Sequence, residues 1–309
     1  MHFNRLNFKP LTGTSSSHLQ TIISALLPPG ISPPSENQIV DLGSNEFLSC
    51  EVSTPATWKE SDQTAVLVHG MGGSHASNYM VRMAQKLYLR GQKVIRVNLR
   101  GCGSGKELSK LLYHAGTSQD ILKILFDLKQ KFPASEIALI GFSLGGNIIL
   151  KLAGELGLEA KKLVKVFIAV SAPLNLAESV SKIQEKKNCL YHLYYLKRIR
   201  AQSGNQKIAT LYAFDDQITA PSWGYKSAND YYEACSSLHF LPHIQQSTHL
   251  LFAQDDPFIS LDQLQEMTLP SAINVWTTEK GGHLGFLGKT ATSKSFYWMD
   301  ELLLNWIGF

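Results

Sequence analysis

The sequence predicts an α/β protein with a mostly parallel central sheet, helices on both faces and a helical insertion late in the chain. Three observations carry this. Short apolar runs alternate with amphipathic segments from Ala65 onward, the signature of buried parallel strands joined by helices. One such run, Glu136 to Ile140, leads into Gly141-Phe142-Ser143-Leu144-Gly145, which reads as strand, sharp turn and helix. The alternation then stops after Pro173 and resumes at His249, and the residues between, about 176 to 240, are helical and aromatic with no strand signal.

Taken in order, residues 1 to 37 read as irregular apart from a short helix around His18 to Leu27, which Pro28 and Pro29 end. Ile39 to Leu42 and Phe47 to Val52 form a hairpin across Gly43-Ser44-Asn45. A polar loop, 54 to 63, precedes the strand Ala65 to Val68 and the loop His69-Gly70-Met71-Gly72-Gly73-Ser74. A helix from Tyr79 to Arg90 closes at Gly91. The strand Val94 to Asn98, the helix Ser118 to Phe132, the strand Glu136 to Ile140 and the helix Asn147 to Leu156 follow, then the strand Val164 to Val170. After the insertion come a strand at His249 to Phe252, a helix at Ser260 to Met267, a strand at Ile273 to Trp276 and a closing helix from Lys294 to Trp306. The whole is expected to be one domain, with its core at about 38–175 and 241–309 and a helical cap at about 176–240.

Composition removes several functions. Apolar residues make up 44% of the 309 and charged ones 17%, the balance of a globular, soluble chain. A net charge of +4 is mild and its basic residues are scattered, the densest patch being Lys197-Arg198-Ile199-Arg200, so no nucleic-acid footprint is present. Cys50, Cys102, Cys189 and Cys235 form no C-x-x-C pair and do not sit with histidines at metal spacing. Neither a disulfide framework nor a metal or cofactor is expected, and a reducing compartment fits. No secretory signal and no run of transmembrane length occurs, so the expected location is the cytoplasm. Arg100 to Glu107 resembles a phosphate loop, but Arg100 replaces its first glycine and Glu107 its serine or threonine. The stripe Tyr191, Leu193, Tyr194, Tyr195 and Leu196, with Lys197, Arg198 and Arg200, reads either as transient lipid-interface contact or as cap core with a solvated basic edge.

The turn at Ser143 carries the chemistry. A hydroxyl on a strained strand-to-helix turn stands above the sheet edge, and the following helix points its positive end at it. The glycines at 141 and 145 are expected because larger side chains there would strike strand or helix. A serine nucleophile needs a base, the base an orienting acid, and the oxyanion donors. On this scaffold the chain order is serine, acid, histidine, with the acid after a late strand and the histidine after the last. Ala253-Gln254-Asp255-Asp256-Pro257-Phe258 and Gly281-Gly282-His283-Leu284-Gly285 occupy those places. Asp256 is preferred over Asp255, which would point the other way or cap the next helix, and His283 over His114 and His249. Asp215 and Asp216 fall within the proposed cap. The backbone N–H groups of Leu144 and Met71 are the expected oxyanion donors, with Gly72 the second choice for the latter. Cys102 reads as a small packing residue rather than a nucleophile.

These residues resemble the α/β-hydrolase superfamily and, within it, the YheT-like group of predicted hydrolases, to which animal lipases of medium-chain and phospholipid substrates are related. The resemblance spans nearly the whole chain. It rests on His18-Leu19-Gln20-Thr21, His69-Gly70-Met71-Gly72-Gly73-Ser74, Asn98-Leu99-Arg100-Gly101-Cys102-Gly103, Gly141 to Asn147, Asp216 with Thr219-Ala220-Pro221, Asp230-Tyr231-Tyr232, Asp255-Asp256-Pro257-Phe258 and Gly281 to Phe286. It implies a Ser143–Asp256–His283 triad, esterase-type activity and a structural role in the cap for Asp216 to Tyr232. Animal members carry an N-terminal membrane anchor that this sequence does not show, so a soluble enzyme of the bacterial type is expected. The expected function is hydrolysis of short- to medium-chain acyl esters, a small-molecule substrate class, through an acyl-enzyme and without cofactor. Phospholipid, thioester or amide acyl cleavage is the nearest rival, and a non-catalytic ligand-binding protein on the same fold the more distant one.

Overall fold

Strands buried on both faces read as near-continuous apolar runs, and Thr64–Val68, Lys93–Asn98, Ile137–Phe142 and Val166–Val170 are buried throughout, polar Thr64, Lys93, Arg96 and Asn98 included. In the computed structural model of the chain, which describes residues 3–290 and 295–308, these four lie at the centre of a single sheet. In chain order the strands among the described residues are β1 (Asn4–Arg5), β2 (Glu36–Gly43), β3 (Glu46–Ser53), β4 (Thr64–Val68), β5 (Lys93–Asn98), β6 (Ile137–Phe142), β7 (Val166–Val170), β8 (Thr248–Ala253) and β9 (Ile273–Thr278). Their order across the sheet is β1-β9-β8-β7-β6-β4-β5-β3-β2. Every pairing is parallel except β2 with β3 and β3 with β5. The β2–β3 hairpin turns through Ser44 and Asn45, both with positive φ (54° and 60°), the primed turn that matches strand twist.

The helices are α1 (Ser17–Leu26), α2 (Asn78–Tyr88), α3 (Ser118–Lys131), α4 (Leu144–Leu156), α5 (Leu176–Gln184), α6 (Cys189–Ser203), α7 (Ala228–Cys235), α8 (Asp262–Glu266) and α9 (Trp298–Trp306), with several single turns between them. The period of two along each strand divides the core. Val66, Val68 and Leu139 pack with Ile121 and Leu125 of α3 and Ile148 and Ile149 of α4. Leu67, Ile140 and Ile168 pack on the other face with Met80, Met83 and Leu87 of α2 and Met299 and Leu303 of α9. Arg82 of α2 donates to both carboxylate oxygens of Asp300 in α9 (2.7 and 3.1 Å), a buried fork that holds these helices together.

Between β7 and β8 the chain is helical: α5, α6 and α7, with the turns Leu211–Phe214 and Asp215–Thr219 between them, the latter a π turn. A small cluster of Leu176, Ala220, Ala228, Tyr231, Tyr232 and Cys235 binds α5 to α7 and to Ala115.

Several boundaries differ from expectation, four of them consequentially. The N-terminal segment is not wholly irregular, since Asn4 and Arg5 add a parallel edge to β9 opposite Trp276 and Thr277, a pairing too short to leave a periodic trace. α4 starts at Leu144 rather than Asn147, directly after the turn; Gly146 lets it close in, because a Cβ there would lie 2.8 Å from that of Ala172. α8 is shorter than Ser260 to Met267. The closing helix begins at Trp298, and Lys294, its expected start, lies outside the described residues.

Candidate active site

Ser143 sits between β6 and α4 with φ 51° and ψ −121°, a conformation that L-residues rarely adopt. Its N–H donates to Val170 O of β7 (2.8 Å), and its neighbours leave no slack. A Cβ on Gly141 would stand 2.4 Å from Gly145 O, and one on Gly145 2.4 Å from Val68 O. One on Gly70 would meet the Ser143 Cβ at 3.0 Å. The glycines are thus dictated by backbone packed against backbone, with no side chain able to swing aside.

The three chemistry-bearing residues named from the sequence come together. Ser143 Oγ lies 2.9 Å from His283 Nε2, and His283 Nδ1 lies 2.9 Å from Asp256 Oδ2. An ionised carboxylate only accepts, so Nδ1 carries the ring proton and Nε2 is left to accept the serine proton. Asp256 is itself fixed by the Phe258 N–H on Oδ1 (2.9 Å). Asp256 and His283 are buried, whereas Ser143 is partly exposed. Asp255 does not reach His283. Its Oδ1 accepts from the Gly282 N–H (2.9 Å), one residue before the histidine, and burial raises its carboxyl above the usual range.

The glycines around His283 serve a different purpose from simple freedom for the ring. α1 lies against this loop: a Cβ on Gly282 would be 2.3 Å from Ser17 O, and one on Gly285 2.7 Å from the Gln20 carbonyl carbon. The His283 N–H donates to Thr21 Oγ1 (2.8 Å). Gln20, fully buried, donates to Leu287 O and accepts from the Leu287 N–H (3.0 and 2.7 Å). Leu284 and Phe286 take positive φ between these anchors. The contribution of Gln20 and Thr21 has no periodic or motif logic in the chain; only their place in the resemblance marked them.

Of the expected oxyanion donors, Leu144 is the first residue of α4, whose N–H has no helical acceptor. The Met71 N–H likewise has no partner among the described residues, whereas the second choice, Gly72, spends its N–H on Tyr113 Oη (2.8 Å). His69 sets the Met71 peptide. Its Nε2 accepts from the Leu99 N–H (3.2 Å), which places the proton on Nδ1, and Nδ1 donates to Gly70 O (2.8 Å). With that carbonyl turned to His69, the trans peptide aims the Met71 N–H the opposite way. Burial lowers the pKa of His69 to about 4, which keeps this arrangement neutral.

Behind Met71 and Leu144 lies a cavity of about 70 Å³. Leu176, Val180, Ile199 and Phe214 from the helical stretch between β7 and β8 make it largely apolar, and Asp215, Tyr232 and His114 also line it. Asp215, on the π turn, accepts from Thr219 Oγ1 (2.8 Å) and Tyr232 Oη (2.7 Å), and burial raises its pKa to about 6. Burial takes His114 the other way, to about 3. Asp216 instead accepts from the Ala228 N–H at the start of α7. Asn147 of α4, buried, joins Ala115, Cys235 and Ser237 through three hydrogen bonds. Cys102 is buried and its thiol is pushed up to about 12, which leaves it unreactive at neutral pH.

A profile of the α/β hydrolase fold family matches residues 65–187, from β4 through the serine turn to α5. The chain is similar to the putative esterase YheT of Escherichia coli, with 27% identity over 317 residues covering 97% of this chain and 92% of that protein. It is also similar to the monoacylglycerol lipase ABHD2 of Danio rerio, with 24% identity over 337 residues covering 96% of this chain and 76% of that one. Among solved structures an esterase of Pyrococcus furiosus shares the fold, with a TM-score of 0.56 and 16% identity over 99% of this chain and 95% of the other.

Proposed function

Because the chain belongs to the α/β-hydrolase superfamily, we propose that it hydrolyses carboxylic esters with short- to medium-chain acyl groups through an acyl-enzyme on Ser143. The observation that carries this reading is the unbroken relay from Ser143 Oγ through the His283 ring to Asp256, each link 2.9 Å long. His283 Nε2 takes the serine proton as Oγ attacks the ester carbonyl. Negative charge gathers on the carbonyl oxygen, where the Met71 and Leu144 N–H groups are free to receive it. The imidazolium then protonates the departing alcohol, and Asp256 steadies the positive ring without taking its proton. Water, activated by the same nitrogen, releases the acid and restores the serine.

The acyl group enters the cavity behind the two donors. About 70 Å³ bounded by Leu176, Val180, Ile199 and Phe214 is a small apolar space, which favours the short end of the range. A series of p-nitrophenyl esters is therefore expected to peak at the shortest acyl chains, with phospholipids and amides turned over far more slowly. A fluorophosphonate probe should label Ser143 in the native protein and leave the Ser143→Ala variant untouched. Native protein that resists the probe would sink the mechanism and favour a ligand-binding role.

A further inference from the structure

The aromatic stripe of α6 divides by helical face. Leu196 and Ile199 are buried, and Tyr191 and Tyr195 pack on Phe258 (4.7 and 6.3 Å between ring centres), which in turn packs on the His283 ring (4.7 Å). The opposite face is turned to water: Leu190, Leu193 and Tyr194 are 69%, 60% and 51% exposed, and the Tyr194 ring meets only Tyr195 and Arg198 of the same helix among the described residues' ring contacts. Lys186 and Lys187, just before the helix, and Lys197 and Arg198 within it are exposed on either side of this apolar strip.

A second helix extends the surface. His18 of α1 shares a hydrogen bond with Tyr191 of α6 (3.0 Å) and stacks on its ring, so the two helices are neighbours. α1 has no charged residue, and on it Leu19 and Leu26, two turns apart on one face, are 43% and 77% exposed. Neither helix contains an aspartate or glutamate. Aliphatic side chains turned to water beside Lys186, Lys187, Lys197 and Arg198, with Glu185 paired to Lys187 (2.7 Å), match the chemistry of an interfacial helix rather than of a solvated one.

We propose that this face of α1 and α6 docks on an anionic lipid surface. The leucines enter the acyl boundary while Lys186, Lys187, Lys197 and Arg198 meet the headgroup phosphates. The same two helices touch the His283 loop, through Thr21 and through Tyr191 and Phe258, and Arg198 donates to Gly72 O beside Met71 (2.6 Å). Docking therefore sets the mouth of the candidate site against the membrane, and amphiphilic esters reach it without crossing bulk water.

The test is vesicle co-sedimentation of the full chain, which reads attachment independently of hydrolysis. Binding is expected to vesicles of equimolar phosphatidylcholine and phosphatidylglycerol at low salt, to weaken as salt rises, and to be weak with phosphatidylcholine alone. The double variant Leu190→Glu, Leu193→Glu should lose at least about tenfold in partitioning. Lys186→Gln, Lys187→Gln and Lys197→Gln should each lose about fivefold, and being fully surface changes they keep the test sharp if the leucine variant unfolds. No binding by the native chain, or equal binding by the lysine variants, overturns the proposal. So does analytical ultracentrifugation showing a dimer that the leucine variant dissociates, since a second copy would then cover the face.

Discussion

Ser143 is held in strained geometry by backbone on all sides, so its hydroxyl can be removed without loosening the turn. Ser143→Ala is expected to fold with an unchanged melting temperature and to lose at least about a thousandfold in ester turnover, read with p-nitrophenyl acetate. The two adjacent aspartates separate more finely. Asp256→Asn frees Nδ1 from its acceptor and permits the wrong tautomer, and kcat should fall about 10⁴-fold. Asp255→Asn keeps an oxygen for the Gly282 N–H, and its kcat should stay within about tenfold; equal losses in both variants would contradict the assignment of the acid. At this scale the sequence was eloquent wherever chemistry dictates residue type and order: a serine between glycines, then an aspartate before proline, then a histidine among glycines. It was silent on the roles of His69 and Gln20, which only the resemblance marked, because an ordinary buried histidine or glutamine looks the same in one dimension. Their importance lies in which carbonyl each one meets.

Two elements do most to assemble the candidate site. The first is the β6–α4 turn. Gly145→Ala would drive a Cβ to 2.4 Å from Val68 O and 2.6 Å from His69 O, both backbone atoms that cannot step aside. A loss of about 3 kcal/mol or more is expected, visible as a lower urea midpoint. The second is the clamp of α1 on the His283 loop. Gln20→Leu would leave the Leu287 N–H buried without its partner, at about 1–3 kcal/mol, while Leu287 O keeps the Leu11 N–H (3.0 Å). It should also lower kcat while Ser143 remains in place, a split that steady-state kinetics combined with denaturant titration detects. The first element was readable because its sterics are local, confined to a few consecutive residues. The second was not, since it joins residues more than 260 positions apart, and α1 looked merely like a short helix stopped by prolines.

At the scale of the whole molecule, strand periodicity and the break after Pro173 made the parallel sheet and the helical stretch before β8 legible. The two-residue β1 and the cavity were not, because both are products of long-range packing. Buried titratable groups add a pH dependence that no linear pattern displays. His69 and His114 have pKa values depressed to about 4 and 3, so the stability they confer is complete above about pH 6.5 and drains away as pH falls toward those values. Asp215 has the opposite sign: raised to about 6, it favours the fold at low pH and loses that contribution as pH rises through 6. At about pH 5 the histidines together cost about 4 kcal/mol relative to pH 7 and Asp215 returns about 1, a net loss. Denaturant titrations at the two pH values should show it. His114→Phe, which keeps the ring against Trp223 and takes no proton, should flatten the decline.

The grip of α1 on the loop after β9 also bears on synthesis. Ser143 and its turn leave the ribosome well before β8 and β9 are made, and α1 leaves earlier still. The histidine that would arm the serine emerges 140 residues after Ser143, and the backbone that Gln20 holds follows it. A nascent chain thus carries an unpaired hydroxyl until the loop after β9 is made, and Gln20 and Thr21 wait beside an empty berth. On the proposed relay, hydrolytic power would arrive only once the loop carrying His283 docks against α1 and the serine turn.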